Sequence, residues 1–484
     1  MTCQLPYDCL SEIFEYLKGD KTALYSCLLV NRLWCKSSVR ILWRDIWNLR
    51  YSMAYKHRPK VTSTILISIL VACLPNESKE LLYKNGIFIP TPTSKQPLFN
   101  YAAFCQVLSI YEICRIIDEV LEEDKNYLVV NEVIKMLMNE ISSLKILTYY
   151  SNNGIPDKIS FTCFSEERDC LIDLSELHCS SNLSSEFFYQ LSQICQKLQS
   201  ITIDFENMDF GISFELKELI LLQNNLKNLT LSAFKGGDWT DIMPALIKHS
   251  NTLTRLHLSS NNGNLPLLFV ALFPNLQEIK FSFVSSAGYP HFEDFNELQY
   301  VNFHKLQILN FPYQCPKLEC MMKFLENNGK NLKEIYIAKS NNGLNLTIAK
   351  FCPNLKNLFT IFKNDELDIL KIIFNSCQYL ESIEIWCGNT YLSEKEVLET
   401  IAKHSPKNFC ELKMYNNSIS KLIPKDLETF FISWLNRIPK KLLTLIIIKE
   451  DYNSLEDDEE NMKIIDKYEN LGVIKFETKF YDED

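Results

Sequence analysis

Glycine is scarce in this chain, with 12 in 484 residues against a usual share of about 7%. Glycine-rich phosphate-binding loops are poorly provided for, and none ends in Gly-Lys-Ser/Thr. The nearest lookalike, Gly329-Lys330, is followed by Asn331 and has Phe324 where such a loop places its first glycine. The 17 cysteines include no Cys-x-x-Cys pair, which takes away the ligand spacing of a zinc ribbon or a redox dithiol. Seven histidines form no His-Glu-x-x-His pair, and no Gly-x-Ser-x-Gly elbow occurs. The chain is therefore expected to be non-catalytic, with no cofactor and no metal. Basic residues are the minority, 50 against 60 acidic, for a net charge of −10. Bulk attraction to phosphate is excluded, so nucleic acid is not an expected partner. The longest apolar run, Val61 to Leu74, is broken by Thr62, Ser63, Thr64 and Ser68. It falls short of the ~20 residues of a membrane span and reads as a buried helix. The start, Met1 to Leu17, carries Asp8, Glu12 and Glu15, unlike a signal peptide. A reducing compartment, cytoplasmic and/or nuclear, is expected, with the cysteines acting as small hydrophobes.

What the sequence does contain is a repeat. An apolar residue is followed by apolar residues three and five positions later, in Leu198-Ile201-Ile203, Leu226-Leu229-Leu231, Leu253-Leu256-Leu258, Leu276-Ile279-Phe281 and Leu306-Leu309-Phe311. Leu332-Ile335-Ile337, Leu355-Leu358-Thr360, Leu380-Ile383-Ile385, Phe409-Leu412-Met414, Leu442-Leu445-Ile447 and Leu471-Ile474-Phe476 continue it. Looser copies lie at Leu144-Leu147 and Leu171-Leu174. The mean period is about 27 residues, inside the range of leucine-rich repeats. Positions four and six alternate inward, as a short strand requires. Between copies the spacing is helical: Leu367, Leu370, Phe374 and Cys377 share one face, as do Phe187, Phe188, Leu191 and Cys195. Ser393 and Glu396 have the spacing of a capping box. Each strand–helix unit can bury its apolar face only by stacking on its neighbours. The acidic run Glu456 to Glu460 reads as an exposed loop.

Four segments, Cys195-Gln-Lys-Leu198, Cys315-Pro-Lys-Leu318, Cys352-Pro-Asn-Leu355 and Cys377-Gln-Tyr-Leu380, resemble the cysteine-containing leucine-rich repeats of many F-box proteins. In most of them a small buried cysteine ends a helix; Cys315 is out of phase and instead suits the start of one. The resemblance implies an α/β leucine-rich-repeat solenoid, a horseshoe, over residues 141–484.

The N-terminus carries a second pattern. Pro6 suits a first helical turn, and Leu10, Ile13, Phe14 and Leu17 form one apolar stripe. Leu24, Cys27 and Leu28 supply another, and Trp34, Val39, Leu42 and Trp43 a third. This string, from Leu5-Pro6 through Val30-Asn31-Arg32-Leu33-Trp34 to Leu42-Trp43, resembles the F-box family, the adaptor-docking module of Skp–cullin–F-box ubiquitin ligases. The resemblance implies that Leu5, Pro6, Leu10, Ile13, Phe14, Val30 and Trp34 dock an Skp-type adaptor or support that surface. The plainer alternative is that they only fill a small bundle. An all-α F-box module at 1–50 and a helical connector at 51–140 would then precede the solenoid.

Positions five and seven of each repeat are expected on the concave side. Early copies carry small polar residues there, whereas Tyr336, Phe359, Trp386 and Tyr415 occupy four successive later copies, bordered by Glu384, Glu411 and Lys413. Exposed aromatics of this kind mark binding surfaces. A register slip of one residue would instead place some of them in the core. The function expected from the two resemblances is substrate recognition within an Skp–cullin–F-box ubiquitin ligase. The module would hold the adaptor, and through it a cullin, and the repeats an unknown target protein. A leucine-rich-repeat scaffold acting without a cullin is the alternative.

Overall fold

The computed structural model describes residues 5–47, 59–90, 97–121, 126–150, 169–206, 212–261, 265–284, 292–339, 341–416, 420–449, 455 and 458–480. The chain divides into two compact units, Met1–Lys227 with Pro244–Lys248, and Asn228–Met243 with His249–Asp484.

The first unit opens with three helices, α1 (Tyr7–Glu15), α2 (Lys21–Leu28) and α3 (Arg32–Leu42). Asp20 caps α2 by accepting from Ala23 N at 2.9 Å, and Asn31 caps α3 by accepting from Leu33 and Trp34 N at 3.0 Å each. Leu10, Phe14, Leu24, Cys27, Val39, Leu42 and Trp43 form the core of this module. Helices Pro59–Cys73, Asn76–Lys84, Ile110–Val120 and Asn126–Glu140 follow. Within the run read as a buried helix, Leu66, Ile67, Leu70, Val71 and Leu74 are buried, and Val61 and Ile65 face outward. No single described helix is long and apolar enough to cross a membrane.

Strands β1 (Val107–Ser109), β2 (Ile146–Tyr149), β3 (Glu176–Ser180) and β4 (Ser200–Glu206) pair in parallel, in chain order. The stretch 51–140, expected to be helical, thus contains a strand. Its repeat is Cys105-Leu108-Ile110, all buried, with cysteine standing where later copies have leucine. The copy placed at Leu171-Leu174 lies three residues early. Leu177 pairs with Leu147 and Ile201, so the copy is Leu174-Leu177-Cys179. Leu171 belongs instead to the 3-10 turn Asp169–Leu171 ahead of it.

Among its described residues the second unit holds ten strands: β5 (Asn228–Lys235), β6 (Arg255–Ser260), β7 (Glu278–Phe283), β8 (Ile308–Phe311), β9 (Glu334–Ile337), β10 (Asn357–Thr360), β11 (Ser382–Cys387), β12 (Glu411–Asn416), β13 (Leu443–Lys449) and β14 (Ile474–Phe480). They too pair in parallel and in order. Position four forms one continuous row: Leu229, Leu256, Ile279, Leu309, Ile335, Leu358, Ile383, Leu412, Leu445 and Phe476. The last member corrects the sequence reading by two residues. Phe476, not Ile474, stands opposite Leu445, and Leu471 is exposed as the C-cap of helix Glu459–Asn470. Gly472, at φ 67°, turns the chain there. Asp458 caps that helix by accepting from Glu460 and Asn461 N. The described part of the acidic run is therefore a helix start, not a loop; Glu456 and Asp457 lie outside the described residues.

The helix ends explain the cysteines. Cys195, Cys352 and Cys377 each follow the last residue of a helix and are fully buried. Cys195 Sγ donates to Leu171 O at 3.5 Å and Cys377 Sγ to Cys352 O at 3.4 Å, in each case one repeat back. Gln223 and Asn328 do the same work with amides, reaching Cys195 O at 2.7 Å and Val301 O at 2.9 Å. A small buried donor thus ties the end of each of these helices to a carbonyl of the preceding repeat. Burial pushes the Cys195 and Cys377 thiols up to about 12, which leaves them protonated and unreactive. Cys315 precedes helix Leu318–Asn328. Ser393 accepts from Glu396 N at 3.3 Å and donates to the Glu396 carboxylate at 2.7 Å.

Candidate functional sites

The residues assigned to adaptor docking separate into two groups. Leu10 and Phe14 are buried, and Trp34, half-buried, meets Phe14 edge-on at 5.2 Å. Those three hold the module together. Leu5, Pro6, Ile13 and Val30 stand at the surface, Ile13 being 47% exposed and Val30 55%. Ile13 therefore does not belong to the buried stripe that its spacing suggests. It shares the outer face of α1 with Cys9 and Tyr16, at i, i+4 and i+7. Leu29, 89% exposed, and Tyr16 are further exposed apolar side chains of the module. Sequence reasoning overlooked both, although an apolar pair at a helix junction, Leu29-Val30, was a usable signal.

Local contacts fix this module to the unit that carries it. Arg44 pairs through two nitrogens with the Glu15 carboxylate, and this hydrogen-bonded pair holds the Glu15 carboxyl below its usual range. Gln106 N donates to Arg44 O at 2.9 Å, and Trp47 Nε1 donates to Val107 O at 2.8 Å. The C-terminal end of the module is thereby sewn to β1.

On β9 to β12 the register agrees with the one read from the repeats. Tyr336, Phe359, Glu384, Lys413 and Ile446 pair in one row, and Trp386, Tyr415 and Ile448 in the next. These residues occupy the sheet face opposite the leucine rows. They are not all surface residues, however. Phe359 is 3% exposed and Tyr415 4%, and with Ile446 and Ile448 they form a second apolar cluster, against which Tyr336, Ala338 and Trp386 pack half-buried. Tyr336 stacks on Phe359 and Trp386 on Tyr415, at 4.0 and 5.1 Å, and Phe359 meets Tyr415 edge-on at 5.8 Å. Bulky rings on adjacent strands a few ångströms apart bury one another.

A polar group crosses this cluster. Glu384 accepts from Tyr415 Oη at 3.1 Å and pairs with Lys413 Nζ at 3.5 Å, and the same ammonium lies 5.5 Å from the Tyr415 ring centre. Lys413 is buried, and a buried ammonium is stabilised by partners of this kind. Glu411 accepts from Ser382 Oγ at 2.8 Å. Among the described residues, no group of three or more His, Cys, Asp or Glu side chains is placed to hold a metal.

Residues 2–48 match the F-box-like family model, so the N-terminal module is an F-box-like domain, followed by stacked strand–helix repeats. No curated protein matches the chain. Among solved structures, it is similar to a chain of the crystal structure of the Rad7 and Elc1 complex in yeast. The identity is 14%, covering 93% of this chain and 87% of that one, with a TM-score of 0.37.

Proposed function

We propose that this protein is a substrate-recognition subunit of an Skp–cullin–F-box ubiquitin ligase. Its N-terminal module docks an Skp-type adaptor and, through it, a cullin, while the repeats hold the protein to be modified. The observation that carries this reading is the match of residues 2–48 to the F-box-like family, on a module whose Leu5, Ile13, Leu29 and Val30 stand at the surface. Apolar side chains in that setting favour a protein partner over water. The subunit itself is non-catalytic and needs no cofactor. It speeds ubiquitin transfer by proximity, raising the effective concentration of target lysines near a bound conjugating enzyme. Cytoplasm or nucleus is its proposed location, in keeping with the free thiols of the described cysteines.

The test is co-purification of the full chain with an Skp-type adaptor. Stoichiometric capture by the parent and none by Ile13→Asp is the expected result. No capture by a well-folded parent would leave the repeats as a scaffold acting without a cullin.

A further inference from the structure

We propose that the rim of the second unit where β8, β9 and β10 begin, around Lys305, Lys330 and Lys333, docks a short acidic segment of a partner protein. This deepens the reading of the repeats as the target-binding part and rests on it. Three observations carry it. The first is local charge. Residues 301–363 hold nine lysines and three glutamates, with no arginine and no aspartate, in a chain whose net charge is −10. The three glutamates do not neutralise this rim. Glu319 stands in the first turn of helix Leu318–Asn328, at the end away from it. Glu326 is paired with Lys323 at 2.8 Å, and Glu334 accepts from Asn357 at 3.3 Å.

The second is placement. Lys333 N donates to Gln307 O at 2.8 Å, and Lys356 N to Lys333 O at 2.7 Å. Asn331 Nδ2 reaches His304 O at 3.1 Å and Asn354 Nδ2 reaches Lys330 O at 2.8 Å. These bonds hold the segments carrying Lys305, Lys330, Lys333 and Lys356 side by side, across two strand spacings of about 4.8 Å each. The third is pairing. Lys305, Lys330 and Lys333 are exposed, and their ammonium groups have no ion-pair or hydrogen-bond partner among the described residues. Lys356 is instead bound to Glu381 at 2.8 Å and closes the row on the β11 side. Attraction to a helix C-terminus accounts for Lys330, just past helix Leu318–Asn328, but Lys305 and Lys333 stand at strand starts. Like charges gathered without counter-charges repel one another, and an anion relieves that repulsion. The planar fork that arginine offers to phosphate is missing from this stretch, whereas carboxylates need only point charges. The row matches about three extended residues. Outside residues 301–363 the chain is more acidic than its overall charge, so a short run of Asp or Glu fits the rim better than a long polyanion does.

The probe is a fluorescent tetra-glutamate peptide, compared with tetra-glutamine and with a thymidine pentanucleotide of about equal charge, titrated into the full chain. The expected result is glutamate binding that weakens several-fold between about 50 and 300 mM salt. The pentanucleotide should bind more weakly and uncharged tetra-glutamine not measurably. Combined Lys305→Gln, Lys330→Gln and Lys333→Gln should weaken glutamate binding about tenfold. Lys333→Gln alone should weaken it about threefold and melt like the parent, which keeps the test valid if the triple variant proves unstable. Lys363→Gln removes the same charge beyond the other end of β10 and should bind like the parent. Equal binding of tetra-glutamine, tighter binding of the pentanucleotide, unchanged affinity in Lys333→Gln, or equal loss in Lys363→Gln would each overturn the proposal. Adaptor capture is measured in parallel: its absence with glutamate binding intact rejects the ligase reading alone, and the reverse rejects this one alone.

Discussion

The ring of Tyr336 lies flat on that of Phe359, centroids 4.0 Å apart and planes within 13° of parallel. The two residues are Cα partners on β9 and β10, so the stack follows from register alone. Its members differ in role, because Phe359 is buried and Tyr336 is not. Phe359→Ala should therefore destabilise by about 3–5 kcal/mol, as a buried aromatic truncation. Trp386→Ala, on the half-buried side, should cost clearly less. Chemical denaturation of both variants checks the order, and equal losses would mean that Trp386 is core.

Ile13 and Phe14 are neighbours in sequence with opposite environments. Ile13→Asp should leave the melting temperature within a degree or two of the parent and abolish adaptor binding. Phe14→Ala should lower stability by roughly 3 kcal/mol or more. A large stability loss in Ile13→Asp would contradict the exposure of that side chain.

Leu256 and Leu358 sit in the position-four row, both buried. Each truncation to Ala should cost roughly 2–5 kcal/mol. Hydrogen exchange should report the loss mainly in adjacent repeats, since contacts in a stacked repeat are local. Parent-like melts would refute the register.

Gly329 is packed where a Cβ would lie 2.7 Å from Phe351 O and 2.8 Å from Cys352 Sγ. Gly329→Ala should destabilise by about 1–3 kcal/mol through overpacking. Gly19→Ala, with open space around it, is the matched control and should be close to neutral. Thermal melts of the pair decide.

Glu278 accepts from, or pairs with, His257 Nε2 at 2.6 Å, and it also pairs with Arg255 at 3.4 Å. The hydrogen bond to His257 and the nearby cations hold its carboxyl below the ordinary glutamate range. The contribution is full above the unfolded value near 4.3 and is lost as pH falls through the lower folded value. Glu278→Gln should lower stability above about pH 4.3 and flatten the acid limb of the stability–pH curve below it. An unaltered acid limb would show that the pairing adds nothing.

Much of the repeat was legible because a strand that buries one face must alternate, and helical spacing between strands leaves few other arrangements. The misplacements arose where local spacing imitated the pattern. Leu171, Leu174 and Leu177 are three apart in series, so a turn and a strand shared the same letters. Leu471-Ile474-Phe476 matched the template, yet Leu443 N bonds to Val473 O and sets the register two residues on. The copy at Cys105 escaped because cysteine replaced leucine. Ile13 lies roughly 50° from the centre of its helical stripe, at its edge, a margin that spacing alone cannot assign to core or surface.

Periodicity and motif spacing thus determined by themselves the helical module, the parallel strands and the face on which Tyr336, Phe359, Trp386 and Tyr415 stand, since these follow from backbone repeat lengths. Which of those rings are buried was decided only by tertiary structure. Stacking across strands closes Phe359 and Tyr415 away from water and leaves Tyr336 and Trp386 half-covered, and no single strand's sequence contains its neighbours. The pairing of Glu384 with Lys413 and Tyr415 was likewise invisible, because residues about thirty apart along the chain meet only when successive repeats stack in register.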